Sequence, residues 1–261
     1  ASTGDSDFEA IQGITPAAQA ALLMKRYMHE YIVPARGFAG FALTAHANGA
    51  NNPCAMYRKA IKPEAYAKAD MVSDPLNMFD MAPNADGAAA VILTRRDLLP
   101  LEYSHPLVKV AGSGAASDTL ALHDRKDPLS FDTAQISAEK AMKQAGVTPN
   151  DMDLFEYHDA FSIYAALQLE AVGFAAHGQA WQLAEEGGIS LKGKIPCATM
   201  GGMKARGFPG GAAGVYQAVE ATLQLRGQAG ANQIPNAKRA LIQSLGGPAS
   251  TAVSHILQTL E

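Results

Sequence analysis

Gly201-Gly202-Met203-Lys204-Ala205-Arg206-Gly207-Phe208-Pro209-Gly210-Gly211-Ala212-Ala213-Gly214 is the stretch on which the reading of this chain turns. Six glycines and a proline in fourteen residues predict a shaped loop rather than a regular element. Glycine loses the most backbone entropy on ordering, and proline has no N–H. Immediately downstream, Val215, Ala218, Val219, Thr222 and Leu223 recur at the spacing of a helix with one buried face, and Gly227 stands where that helix ends. The loop therefore opens onto a helix N-terminus, whose free N–H groups and positive dipole end suit an anion, a phosphate or a carbonyl oxygen gaining charge. A glycine-rich stretch also serves as a plain tight connection, and both readings stand at this point.

Working outward, Glu156-Tyr157-His158-Asp159-Ala160-Phe161 closes a predicted strand at 153–157 and precedes Ile163, Leu167 and Val172 at helical spacing. Ligands of open α/β sheets collect at such strand ends, and histidine is the side chain that titrates near neutrality. On the C-terminal side, 239–248 and 251–257 read as two strands around a glycine turn. Asp132 to Gln135 form a capping box for a helix that buries Ala134, Ala138, Ala141, Met142 and Ala145 and closes at Gly146. The run 86–93 has the composition of a strand buried on both faces. Residues 17–31 form an amphipathic helix opened by Thr15-Pro16, with Ala20, Leu23, Met24, Tyr27 and Met28 on its buried face. Residues 45–58 are polar, turn-rich and predicted irregular. Helices and strands in alternation argue a layered α/β fold.

A chain of 261 residues with 48% hydrophobic side chains has ample material for a core. A net charge of -4 without a basic block points to neither nucleic acid nor an anionic membrane as partner. No apolar run approaches the roughly 20 residues that cross a bilayer, and the polar start is unlike a signal peptide, so a cytoplasmic location is expected. Two cysteines, Cys54 and Cys197, make no disulfide framework, and no Cys/His cluster has metal spacing.

The glycine loop resembles a signature of the thiolases. Their Gly-Gly, Gly-His-Pro and Gly-Ala-Thr-Gly run is followed by Gly201-Gly202, Gly207-Phe208-Pro209 and Gly211-Ala212-Ala213-Gly214. Phe208 replaces the family's histidine, which helps bind the thioester oxygen and takes part in proton transfer; a phenyl ring does neither. His158-Asp159-Ala160-Phe161 resembles the family's Asn-Glu-Ala-Phe motif in its His-Asp-Ala-Phe version. The resemblance gives His158 the role of holding a water or donating toward the thioester oxygen, and Phe161 that of packing on pantetheine. The family's Cys-x-Gly-Gly turn is Ser244-Leu245-Gly246-Gly247 here. Ser244 stands in the acid/base position, and Gly246 keeps an N–H for an oxyanion. A serine hydroxyl titrates far above the thiol reference of about 8.5 and is a poor proton acceptor. Residues 27–31, His46, 52–58 and 74–76 are similar to the loop domain of the sterol-carrier-type thiolases, which lies over coenzyme A. The same resemblance adds His46, Ala82, Ala160, Gly207 and Phe208 to the substrate-binding set.

The resemblance implies an α/β, thiolase-like layered α/β/α fold with an incomplete N-terminal half. Residues 1–106 would hold a loop region plus the remainder of that half, and 107–261 the C-terminal half, with 108–112 as its first strand. The strands that carry the nucleophilic cysteine have no counterpart, and neither Cys54 nor Cys197 has a nearby cation or helix start in sequence. Three functions stay open. One is the later portion of a thiolase-like acyl-CoA acyltransferase; another is an acyl-CoA retro-aldolase that works beside a small OB-fold partner through Tyr157 and His158. The last is a non-catalytic acyl-CoA-binding subunit. The ligand is then a coenzyme A thioester, as substrate, with no separate cofactor and no metal. A bare sheet edge in an incomplete half predicts a homodimer or higher oligomer.

Overall fold

The computed structural model describes residues 4–260 apart from Leu101. Helix α1 (Pro16–Glu30) starts as its sequence requires, with Pro16 at the first helical position and Thr15 Oγ1 accepting from the Ala18 N–H at 3.2 Å. Its stripe of Ala20, Leu23, Met24 and Tyr27 is buried. Helix α2 (Ala39–Gly49) corrects the expectation for 45–58, because His46 and its neighbours up to Gly49 are helical. A Cβ on Gly40 would lie 2.5 Å from the Ala184 carbonyl oxygen, and one on Gly49 2.5 Å from Ala205 Cβ. Close packing by small residues thus outweighs the poor helix propensity of glycine and asparagine. Helix α3 (Pro63–Ala67) and the antiparallel pair β1 (Met71–Ser73) and β2 (Leu76–Asn77) follow.

Residues 86–93, expected as a buried strand, are neither strand nor buried. Ile92 is 95% exposed, and among the described residues no strand pairs with the run. Strand composition does not suffice where no neighbour receives the backbone N–H and C=O groups.

The main sheet holds β3 (Val108–Ser117), β4 (Leu154–Glu156), β5 (Arg239–Gly246) and β6 (Thr251–Thr259) in the order β3-β6-β5-β4. β4 runs parallel to β5, and the other pairs are antiparallel. One face carries α4 (Asp132–Ala145) and α5 (Ser162–Val172), the latter buried almost all round. After α6 (Ala180–Glu185) and α7 (Gly202–Arg206), α8 (Ala213–Leu225) covers the other face. β5 shows the alternation that separates the layers: Leu241 and Leu245 join the larger core with α4 and α5, Ala240 and Ile242 the smaller one beneath α8.

α4 lies directly on β3. A Cβ on Gly112 would sit 2.0 Å from the Ala141 carbonyl oxygen, and one on Gly114 2.1 Å from that of Ser137. Gly112→Ala is therefore expected to lower stability by about 1–3 kcal/mol, read as a lower denaturant midpoint at unchanged slope. The capping box expected at Asp132–Gln135 is not formed, since Gln135 Nε2 donates to Glu139 Oε1 at 2.8 Å. Gly146 does close the helix, in the left-handed conformation at φ 68°.

Two further expectations are corrected at the glycine run. Gly202–Arg206 is a turn of helix, not loop. On α8 the buried residues include Gln217, Glu220, Ala221, Gln224 and Leu225, whereas Val215, Ala218, Val219, Thr222 and Leu223 are only half-buried. The buried polar groups have partners: Gln217 Nε2 donates to Gln243 O at 3.0 Å and Gln224 Nε2 to Asn232 O at 2.8 Å. A hydrophobic pattern registers apolar side chains and is blind to satisfied polar ones.

Candidate active site at the glycine loop

The C-terminal end of β4 continues into Tyr157, His158 and Asp159. Tyr157 turns into the core, 2% exposed, with its ring 5.6 Å from that of Phe155. Burial, with the charges of Cys197, Asp159 and Glu156 adding to it, pushes the phenol well above its ordinary value. Tyr157 stays protonated at neutral pH, so of the two residues named for the aldolase reading it is His158 that is suited to accept a proton. The backbone of His158 is held by Gln168 of α5. Its N–H donates to Gln168 Oε1 at 3.0 Å, and Gln168 Nε2 donates to His158 O and to Tyr164 O, each at 2.8 Å. The imidazole stands edge-on to Phe208, 5.6 Å between centroids at 83°. Its Nδ1 is buried without a partner among the described residues, and burial draws the pKa down to about 4. The ring is neutral at physiological pH.

Residues 81–85 tie the two ends of the site together. Phe208 N–H donates to Pro83 O at 2.9 Å and Ala85 N–H to Phe208 O at 3.1 Å, while Ala82 N–H donates to Ala160 O at 2.8 Å. Phe161 pairs with Met81. Gly207 adopts φ 106°, and a Cβ on it would meet Ala85 Cβ at 2.6 Å. His158, Ala160, Phe161, Ala82, Gly207 and Phe208 thus share one neighbourhood. Ser244 lies at the start of α8, where a Cβ on Gly214 would be 3.3 Å from Ser244 Oγ, and Gly246 begins the turn between β5 and β6. His46 is elsewhere, buried on α2 between Tyr57 and Phe79 with ring centroids 5.8 and 5.6 Å away. Burial and then the Lys204 charge lower its pKa.

Sequence reading missed a set of buried ionisable groups behind the glycine loop. Asp159 Oδ1 accepts from the Met203 N–H at 2.7 Å, and Gly202 makes room for this carboxylate, since a Cβ there would lie 2.3 Å from Asp159 Oδ2. Lys204 Nζ donates to Asp80 O at 2.6 Å, and burial brings its pKa down to about 8. Arg206 Nε is 2.7 Å from Glu220 Oε1, with the guanidinium 4.3 Å above the Tyr216 ring. Glu156 Oε1 accepts from the Thr199 N–H at 3.0 Å and the Thr199 hydroxyl at 2.5 Å. Burial and the neighbouring Glu220 charge push Glu156 up to about 8, and burial pushes Glu220 up to about 7. The one sequence signal was a lysine and an arginine inside an otherwise small and apolar run, a pattern that also fits solvated charges.

Neither cysteine is an activated nucleophile by its surroundings. Cys197 is fully buried, its Sγ donates to Ile195 O at 3.2 Å, and burial pushes the thiol well above its usual value. Cys54 is exposed. Among the described residues no group of His, Cys, Asp and Glu is placed to hold a metal ion, and no helix is long and apolar enough to cross a membrane.

Known proteins share both sequence and architecture with this chain. The family model described as Thiolase C-terminal domain-like matches residues 114–259. An acetyl-CoA acetyltransferase of Methanothermobacter thermautotrophicus is 40% identical over 256 residues, covering 98% of this chain and 67% of its own length. Sterol carrier protein 2 of Gallus gallus is 32% identical over 85% of this chain and 41% of its own length. The chain thus spans from two thirds to two fifths of these relatives. Among solved structures, the Ltp2-ChsH2(DUF35) aldolase superposes with a TM-score of 0.82 at 25% identity, over 94% of this chain and 64% of that one. A monomeric SCP2-thiolase like protein from Mycobacterium smegmatis superposes at 0.70 with 18% identity, over 95% of this chain and 53% of that one, a likeness of fold. With more than half its length matched by the family model and a 40% identical relative covered over two thirds, this chain belongs to the thiolase family.

Proposed function

We propose that this chain acts on acyl-CoA thioesters and breaks a carbon–carbon bond of a β-hydroxyacyl-CoA in the retro-aldol sense, beside a small OB-fold partner, rather than by thiolysis. The observation that carries the reading is the neutral His158 imidazole, its Nδ1 buried and without a partner among the described residues, facing a phenyl ring where a thiolase has a second imidazole. Ser244 in place of the acid/base cysteine and the likeness to the Ltp2-ChsH2(DUF35) aldolase support the same choice.

Such a reaction needs a base, a donor for the enolate oxygen and exclusion of water. The β-hydroxyl gives its proton to the unprotonated nitrogen of His158. The bond between the α and β carbons breaks, leaving a carbonyl on the β carbon and the electron pair in a thioester enolate. The Gly246 N–H holds the enolate oxygen. The imidazolium returns its proton to the α carbon, and a shortened acyl-CoA leaves with a ketone or aldehyde. An imidazole as weakly basic as His158 accepts the proton reluctantly and returns it readily, and Phe208 keeps water from intercepting the enolate.

Incubation of the full-length protein with a β-hydroxyacyl-CoA and its partner is expected to release the shortened thioester and the carbonyl product. Incubation with acetyl-CoA is expected to leave Cys54 and Cys197 unmodified in intact-mass measurements. An acyl adduct on either cysteine, with no cleavage of the hydroxyacyl thioester, sinks the proposal in favour of acyl transfer.

A further inference from the structure

We infer that Arg125 is a positioning residue for the turn that presents the Gly246 N–H. The inference rests on the oxyanion role proposed above for that N–H. The turn between β5 and β6 is conformationally demanding: Gly247 has φ 54° and Ala249, which carries a side chain, has φ 61°. A non-glycine residue persists in the left-handed region only where its surroundings hold it there.

Those surroundings come from one segment, 118–133, distant in sequence. Arg125 NH1 donates to Pro248 O at 2.5 Å, and its Nε donates to Thr119 O at 3.0 Å, so one planar guanidinium bridges the turn and the segment. Thr133 Oγ1 donates to Ala249 O at 2.7 Å, and the Asp118 N–H donates to Ser250 O at 2.9 Å. Three consecutive carbonyls of the turn are thereby taken by donors from outside it. From inside, the Ser250 N–H and hydroxyl both donate to Gly246 O, at 3.0 and 2.9 Å. The Arg125 side chain is 2% exposed, with Asp118 Oδ2 3.9 Å from Nε. A solvated surface arginine would not be committed in this way, since burying a guanidinium is costly unless its hydrogen bonds are specific. Arg125 touches no part of the proposed substrate position; it acts through the carbonyl of Pro248.

The test is hydrogen exchange and kinetics on the full-length protein. Arg125→Met is expected to speed amide exchange of Gly246, Gly247, Ala249 and Ser250 by about tenfold while the amides of 240–243 keep their wild-type rates. With the partner present, kcat for hydroxyacyl-CoA cleavage should fall about 10²-fold at unchanged KM, with Arg125→Lys in between because an ammonium can keep one of the two bonds. Unchanged exchange in the turn of a folded Arg125→Met protein overturns the inference whatever the activity. Faster exchange in a protein whose wild type cleaves no hydroxyacyl-CoA upholds the clamp and removes the proposed reaction. If Arg125→Met does not fold, Thr133→Val, which removes only the tie to Ala249, carries the test: faster exchange of the turn supports the clamp and an unchanged rate refutes it.

Discussion

His158→Ala lowers the rate of hydroxyacyl-CoA cleavage by about 10²–10⁴-fold, the usual worth of a positioned proton-transfer group. The substitution deletes a ring whose Nδ1 has no partner among the described residues, while the backbone at this position is fixed at both N–H and C=O by Gln168, so the local backbone should persist and KM should move little. The pH profile separates this role from a structural one. Burial holds the folded-state pKa at about 4, below the ordinary 6.5. The wild-type rate should therefore show no loss from His158 protonation until pH falls toward 4. Phe208→His, which places a second imidazole beside the first, should bring titration into the profile nearer neutrality. The stability linkage has the opposite sense to that of a salt-bridged histidine. Between 6.5 and 4 the unfolded chain binds a proton that the folded chain refuses, so His158 costs stability as pH falls through that window, and His158→Ala should remove that cost. A variant that cleaves at the wild-type rate sinks the catalytic assignment.

Near about pH 8.5, Arg206→Met is expected to lower stability by about 3–5 kcal/mol, because there it leaves a buried carboxylate without its cation. Arg206 and Glu220 side chains are 4% and 5% exposed, at 2.7 Å, and the Glu220 charge acts on Glu156. The pH dependence again fixes the sign. Both carboxyls titrate above their ordinary 4.5 in the folded chain, Glu156 at about 8 and Glu220 at about 7. They hold protons where the unfolded chain has lost them, so their contribution to stability declines as pH rises from 4.5 through those values. Without the guanidinium the decline steepens. The gap between wild type and variant should be small near about pH 5, where both carboxyls are protonated, and widest near about pH 8.5. Equal gaps at the two values, from denaturant midpoints, would show that the ion pair is not what the substitution removes.

What the sequence disclosed follows from how local each signal is. The hairpin of β5 and β6, the stop at Gly146 and the start of α1 at Thr15-Pro16 depend on turn and cap chemistry within a few residues, and all were legible. His158 and Phe208 were legible as a family pattern; their edge-on contact needed the crossing of two segments by 81–85. The face of α8 was misread because Gln217, Glu220 and Gln224 are buried by partners 26, 14 and 8 residues away. The 86–93 run was misread because a strand is a property of a pair. Lys204 and Arg206 stood out only as two charges in a small, apolar run; their burial was not legible, since their counter-charges at Asp80, Asp159 and Glu220 come from three separate segments.

The polar underside of α8 has a mechanical consequence. A helix seated on apolar side chains alone can roll several degrees with little change in energy, because the attraction has no direction. α8 is keyed instead by two glutamines, each aimed at one backbone carbonyl, and by Glu220 held to Arg206. The two glutamine hydrogen bonds tolerate little rotation before they break. The axis, and with it the N-terminal end over Ser244, is set like a shaft on splines, so side chains on its outer stripe can be exchanged without turning the end that faces the glycine run.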